Sequence, residues 1–174
     1  MEDFIRPFKE SDWNKVQKIY HQGIDTNLAT FQTMCPTYEI WNKTYLQKCR
    51  YIYEQNGRIL GWIALSPVSN ETAYSGVAEV SVYVENKSKH QGIGTLLLDK
   101  VIKESEKEGF WTLQATIMHN NYSCILLFQK CGFREVGFRN KIARDRFGTW
   151  RKTVLMEKRS KSDMLSNCCD SKPV

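Results

Sequence analysis

Glu79 is the only carboxylate in the run Val77-Ala78-Glu79-Val80-Ser81-Val82-Tyr83-Val84. A carboxylate facing a site from such a run can take a proton from an attacking nucleophile. The same residue can equally be an outward strand position, because alternation does not say which face is covered. Shortly after comes Lys89-His90-Gln91-Gly92-Ile93-Gly94-Thr95-Leu96, a glycine turn opening a helix. Glycines there permit positive φ and close approach of the backbone to a ligand. Successive N–H groups backed by a helix dipole make a diphosphate cradle, and Thr95 adds a hydroxyl in the first turn. A ligand-free strand–helix connection reads the same way, since a lone Gly-x-Gly is weak evidence. The chain has neither a G-x-x-x-x-G-K-[ST] run nor G-x-G-x-x-G. The turn also lies mid-chain rather than after the first strand, which argues against a dinucleotide fold.

The six cysteines are Cys35, Cys49, Cys124, Cys131, Cys168 and Cys169. None forms C-x-x-C or sits near a histidine at zinc-ligand spacing, so no metal site is expected and reduced thiols are. Cys168-Cys169 fits a soft metal or metalloid, or is incidental.

The elements that must position these residues are legible as patterns. Phe4 to Pro7 reads as a strand. Glu10-Ser11-Asp12 looks like a cap for a helix carrying Trp13, Val16, Ile19, Tyr20 and Ile24. Thr37 can cap a second helix with Ile40, Trp41, Tyr45 and Leu46. Tyr51 to Tyr53, Asn56-Gly57 and Ile59 to Leu65 read as a hairpin. Ser66 to Tyr74 is a polar loop before the strand Val77–Val84. The helix from Gly92 places Leu96, Leu97, Val101 and Ile102 on one side and ends at Gly109. Phe110 to Met118 is a strand. Asn121 opens a helix with Ile125, Phe128 and Gln129, closed by Gly132. Phe133 to Phe138 and Thr153 to Met156 are the last strands. This order predicts a mixed α/β domain around a central sheet. Residues 1–158 form that single domain, and 159–174 read as a flexible polar tail.

Composition agrees. The 174 residues are 41% hydrophobic and 25% charged, with net charge +6 and pI near 9.0. A chain of this length buries roughly 70% of its unfolded surface without staples. The charge fits an anionic partner or a generally basic surface, but no Lys/Arg block favours nucleic acid. No apolar run approaches the ~20 residues of a membrane span. No signal-peptide pattern follows Met1, so a cytoplasmic location is expected.

Lys89-His90-Gln91-Gly92-Ile93-Gly94 resembles the acetyl-CoA motif of the GNAT acetyltransferases. The likeness is closer to their phosphinothricin and methionine-sulfone N-acetyltransferase branch. Ala73-Tyr74, Glu79 and Val82-Tyr83-Val84 match that branch, as do Gly132-Phe133 and Phe147-Gly148-Thr149-Trp150. Asn121 also matches, seven residues before the helical position Phe128. The likeness covers residues 4–158.

The resemblance implies a mostly antiparallel mixed sheet of about seven strands, with about four helices, splayed at the acetyl-CoA site. It implies acetyl transfer to the primary amine of a small amino acid or analogue by direct attack in a ternary complex. Glu79 is then the general base. Val82, Tyr83 and Val84 pair with the pantetheine arm, while Lys89, His90, Gln91, Gly92, Ile93, Gly94 and Thr95 hold the diphosphate. Asn121 contacts the pantetheine side, and Phe31, Tyr74, Glu79 and Ser81 face the acceptor. A homodimer is implied; nucleic acid and membrane partners are not. The chain departs from the branch at Lys89, where Gln or Arg is usual, and at Gln32, where Arg is. Phe128 replaces a His or Tyr proposed as acid or base, and Phe cannot donate a proton. A thiol leaving group with a pKa near ~8.5 can depart as thiolate. A non-catalytic acyl-CoA module, or transfer to another amine or a protein N-terminus, remains the alternative.

Overall fold

The computed structural model describes residues 3–161. Seven strands form one sheet in the order β1-β2-β3-β4-β5-β7-β6. They are β1 (Asp3–Pro7), β2 (Tyr51–Gln55), β3 (Arg58–Pro67), β4 (Val77–Val84), β5 (Thr112–Met118), β6 (Arg134–Arg144) and β7 (Trp150–Arg159). All neighbours are antiparallel except β4 and β5. Helices α1 (Trp13–Asp25) and α2 (Tyr38–Thr44) cover one face, and α3 (Ile93–Lys107) and α4 (Tyr122–Lys130) the other. Leu60 to Leu65 are buried without a break, as expected for a central strand covered on both faces.

Local chemistry sets several boundaries. The Thr37 hydroxyl accepts from the Ile40 N–H and starts α2. Arg50 finishes that helix from inside the protein. Its guanidinium donates to the Leu46 and Tyr45 carbonyls, to Asn42 Oδ1 at 2.7 Å and to Asn42 O at 2.9 Å. A buried cation is tolerated where it satisfies several orphan helix carbonyls. Asp12 precedes α1 but makes no side-chain bond to that helix. Its carboxylate instead accepts the Lys9 N–H at 2.8 Å and a fork from Arg6 at 2.7 and 2.9 Å.

Three sequence expectations need correction. Leu96 is 49% exposed, because the buried stripe of α3 runs through Ile93, Leu97, Leu98, Val101 and Ser105. Leu46 lies beyond the end of α2, whose last residue is Thr44. The β6–β7 hairpin is much longer than the apolar segments that marked it. β6 is an exposed edge strand whose register shifts twice against β7, so no alternation signals its length. At the other end of the hairpin, Ser160 N donates to Trp111 O at 2.9 Å. Cys168 and Cys169 lie outside the described residues.

Candidate active site

The one parallel pair in the sheet is short. β4 and β5 are in register only from Val77–Thr112 to Glu79–Gln114, although the strands continue to Val84 and Met118. Gly76 O accepts from Thr112 N at 3.1 Å, so even-numbered residues of β4 direct their backbone groups at β5. Glu85 N donates to Leu60 O at 2.8 Å, which turns the odd-numbered residues toward β3. In a continued ladder Thr116 N–H would next meet Val80 C=O. It donates instead to Glu79 Oε1 at 3.2 Å. The carboxylate therefore sits in the fork, and the backbone groups of Val80, Val82 and Val84 face the widening split. Tyr83 has its backbone on the β3 side.

Glu79, Ser81 and Tyr83 share the face beneath α1 and α2, opposite Ser66, Ala64 and Trp62 on β3. The face that the sequence left open is thus the one with hydroxyls. Tyr45 OH donates to Ser81 Oγ at 3.1 Å, and Tyr20 OH to Gln32 Oε1 at 2.7 Å. The Tyr20 ring packs against Tyr83 at 4.8 Å and edge-on to Trp62 at 5.3 Å. The Tyr83 ring stacks on Trp62 at 4.7 Å. Burial pushes the Tyr45 hydroxyl above its ordinary range. Its bond to Ser81 opposes that shift, and the charge on Glu79 adds to it. Burial raises Tyr20 and Tyr83 as well. All three are neutral hydrogen-bonding groups at physiological pH, leaving Glu79 as the carboxylate of this face that can accept a proton.

On the other side of the fork, α3 opens without a side-chain cap. The first-turn amides of a helix have no intrahelical acceptor and are available to an anion. Gly92 holds φ +83°, which only glycine adopts cheaply, and His90 is also left-handed at 63°. Gly94 serves packing: a Cβ there would lie 3.0 Å from Leu127 Cδ2 of α4. Lys89, His90 and Gln91 are exposed around this turn, Ile93 is buried, and Thr95 is partly buried. The free amides and the split's backbone groups suit a ligand with a diphosphate and an amide-bearing arm, as in acetyl-CoA. Among the described residues no group of His, Cys, Asp and Glu could hold a metal ion. Among them, too, no helix is long and apolar enough to cross a membrane.

Other sequence candidates are placed differently. Asn121 caps α4 through its Oδ1, which accepts from Cys124 N at 3.3 Å, while its Nδ2 donates to Leu28 O at 3.1 Å. Its amide is thus engaged at both ends by protein. Phe31 is half-buried in the α1–α2 connection. Tyr74 is 49% exposed on a turn before β4 and makes none of the bonds that join the hydroxyl cluster. Phe128 points into the core, edge-on to Phe133 at 4.8 Å. Tyr122 and Ser123 are exposed, and burial pushes the Cys124 thiol up to about 12.

Sequence reasoning missed Tyr20, Tyr45, Asn27 and Asp145. The tyrosines have the spacing of core residues, and only the tertiary fold brings their hydroxyls together. Asp145 had a local signal, an Asp three residues before Gly148 in a turn. Its carboxylate accepts from Phe147 N at 2.9 Å, Thr149 N at 3.0 Å, Asn27 Nδ2 at 3.0 Å and Arg151 Nε at 2.7 Å. Burial alone would raise this carboxyl, but bonds from Asn27, Thr149, Arg151 and Phe147 outweigh it and hold it at about 2.

A forked parallel pair, a free helix N-terminus beside it and a carboxylate at the fork define an acyl-CoA-dependent transferase site. Residues 14–133 match the model of the acetyltransferase (GNAT) family, and the chain belongs to that family. It is an acetyl-CoA-dependent N-acetyltransferase with the GNAT fold. The phosphinothricin N-acetyltransferase of Streptomyces viridochromogenes is 28% identical over 138 residues, 76% of this chain and 75% of that protein. The L-methionine sulfoximine/L-methionine sulfone acetyltransferase of Pseudomonas aeruginosa is 27% identical over 101 residues, 58% of each chain. A phosphinothricin acetyltransferase from Sinorhizobium meliloti, solved with acetyl-CoA, superposes with TM-score 0.83 at 22% identity, covering 91% of this chain and 89% of that one.

Proposed function

We propose that the protein acetylates the primary amine of a small amino acid or amino-acid analogue, with Glu79 as general base. The observation that carries this reading is the Glu79 carboxylate in the β4–β5 fork, on the hydroxyl-rich face. Thr116 N–H fixes Oε1, which leaves Oε2 to take the proton. The amine must lose a proton before or during attack. Its nitrogen bonds to the acetyl carbon as the carbon–sulfur bond breaks, and the sulfur leaves as thiolate. Backbone N–H groups on Val82 and Val84 face the split and suit an oxyanion there. The amides of Gly92 to Thr95, with Lys89, His90 and Gln91 around them, hold the diphosphate. Ser81 and Phe31 are assigned to the acceptor side. Tyr74 is assigned there from the family likeness alone, and so is the pantetheine contact of Asn121.

Direct attack, without an acetyl-enzyme, is supported by the thiols. Burial raises Cys35, Cys49 and Cys131 to about 11 and Cys124 to about 12, so none is a ready nucleophile. These four cysteines are free, in keeping with a cytoplasmic location. We also assign a homodimer, by likeness to the family; sedimentation as a monomer alone at micromolar concentration would refute it. The second reading, transfer to a different amine or a protein N-terminus, rests on Gln32, where the phosphinothricin enzymes carry Arg.

The test is thiol release from acetyl-CoA over methionine sulfone, methionine sulfoximine, phosphinothricin and the common amino acids, with product masses. Turnover of one amine that Glu79→Gln abolishes supports the proposal. Tight acetyl-CoA binding with no turnover of any of these amines favours another acceptor.

A further inference from the structure

The segment after α1 is held from two directions. From one side, Asn27 Nδ2 donates to Asp145 Oδ2 at 3.0 Å, and Arg146 donates to Ile24 O at 2.8 Å. Both partners come from the β6–β7 turn. From the other side, Asn121 at the start of α4 donates to Leu28 O at 3.1 Å. A few residues further on, Gln32 Oε1 accepts from Tyr20 OH at 2.7 Å, and the Tyr20 ring packs on Tyr83 of β4 at 4.8 Å. Segment 26–32 therefore runs from a two-sided anchor to the face that carries Glu79. Asn27 is left-handed at φ 53°, so its side chain is aimed by a backbone conformation that Asn and Asp tolerate best.

We propose that Asp145 is a positioning residue for the acceptor: through Asn27 it seats segment 26–32 against Tyr20, which packs on β4, so the β6–β7 turn sets acceptor affinity. This rests on the acetyl-transfer reading. Asp145 touches neither the acetyl-CoA cradle nor Glu79, so loosening the anchor weakens acceptor binding more than cofactor binding. The buried carboxylate is rigid because the turn's own amides and Arg151 already fix it. Asn27 is the joint that connects it to the loop.

The experiment is Asn27→Asp, which is nearly isosteric, keeps the backbone conformation and sets a second carboxylate against Asp145. Its companion is Asn27→Gly, which keeps the left-handed backbone and removes the bond without adding a charge. Acetyl-CoA affinity is read by calorimetry. Acceptor KM and kcat are read with methionine sulfone, and loop exposure by hydrogen exchange of residues 28–32. Asn27→Asp is expected to raise acceptor KM by about ten-fold or more, with a smaller change in acetyl-CoA Kd. Loop exchange speeds up in Asn27→Asp and, by less, in Asn27→Gly. Unchanged acceptor KM and unchanged exchange in Asn27→Asp overturn the proposal. If methionine sulfone is not acetylated, exchange decides alone: acceleration in both variants upholds the anchor, and no change in Asn27→Asp overturns it. A wild type that binds no acetyl-CoA refutes the acetyl-transfer reading, and this proposal with it.

Discussion

Glu79 Oε1 receives the Thr116 N–H, the donor that a continuous parallel ladder would have given to Val80 C=O. One carboxylate oxygen thus ends the β4–β5 pairing, and the other is left for chemistry. Glu79→Gln keeps an oxygen acceptor for Thr116 but cannot take a proton. It should lower kcat by at least about 100-fold while leaving acetyl-CoA affinity and melting temperature close to wild type. Glu79→Ala should also lose about 1–3 kcal/mol of stability, because Thr116 N–H loses its partner. Equal kcat for wild type and Glu79→Gln would remove Glu79 from the mechanism.

The two glycines of the α3 turn do different work, and their variants should separate. Gly92→Ala forces φ +83° on a residue with a Cβ, at a cost of about 1 kcal/mol. Gly94→Val crowds Leu127 and pushes α3 from α4. Both should raise the KM for acetyl-CoA, Gly94→Val by more. Calorimetry that finds unaltered cofactor affinity in both would show the diphosphate to lie elsewhere.

Asp145 gives the fold an acid limb. Its carboxyl titrates at about 2 in the folded chain, against an ordinary 3.8. A depressed folded value means that the contribution is complete above about pH 4, declines as pH falls and is gone below about 2. Melting curves from pH 6 to pH 2 should show this loss, and Asp145→Asn should flatten it. An identical acid limb in the variant would assign the effect to other carboxylates, with Asp12 the first candidate because Arg6 and Lys9 lower it against its burial.

Cys124 sits in the first turn of α4, where a low-pKa thiol could have served as nucleophile. Its value of about 12 keeps it protonated at neutral pH. Cys124→Ala should keep kcat within about three-fold, since no reacting group is removed. Intact-mass spectra of the protein with acetyl-CoA should show no acetyl adduct. An adduct lost in the variant would overturn direct transfer.

Caps and turns were legible because their causes are local. Thr37, Asn121 and the Asn56-Gly57 turn each carry a signal within one element. The phase of α3 was misjudged because Leu96 is as apolar as its neighbours, and only the sheet decides which leucines turn inward. The length of β6 was hidden because an exposed edge strand needs no alternation. At the site, the glycine turn and Glu79 were visible as types and spacing, but the face of Glu79 was not. That face depends on Tyr20, Tyr45 and Gln32 arriving from distant segments. The Asn27–Asp145 bond, 118 positions apart in the chain, had no pairwise signal at all.

The fork also makes stability depend on what fills it. Past Glu79 the two middle strands no longer satisfy each other, and the backbone of Val80, Val82 and Val84 offers a seam that a bound pantetheine arm can close. A ligand that binds only the native state stabilises it by RT ln(1 + [L]/Kd), about 2.7 kcal/mol at a hundred times Kd. Acetyl-CoA held in that seam should therefore raise the melting temperature of the protein, and by more as its concentration climbs past Kd.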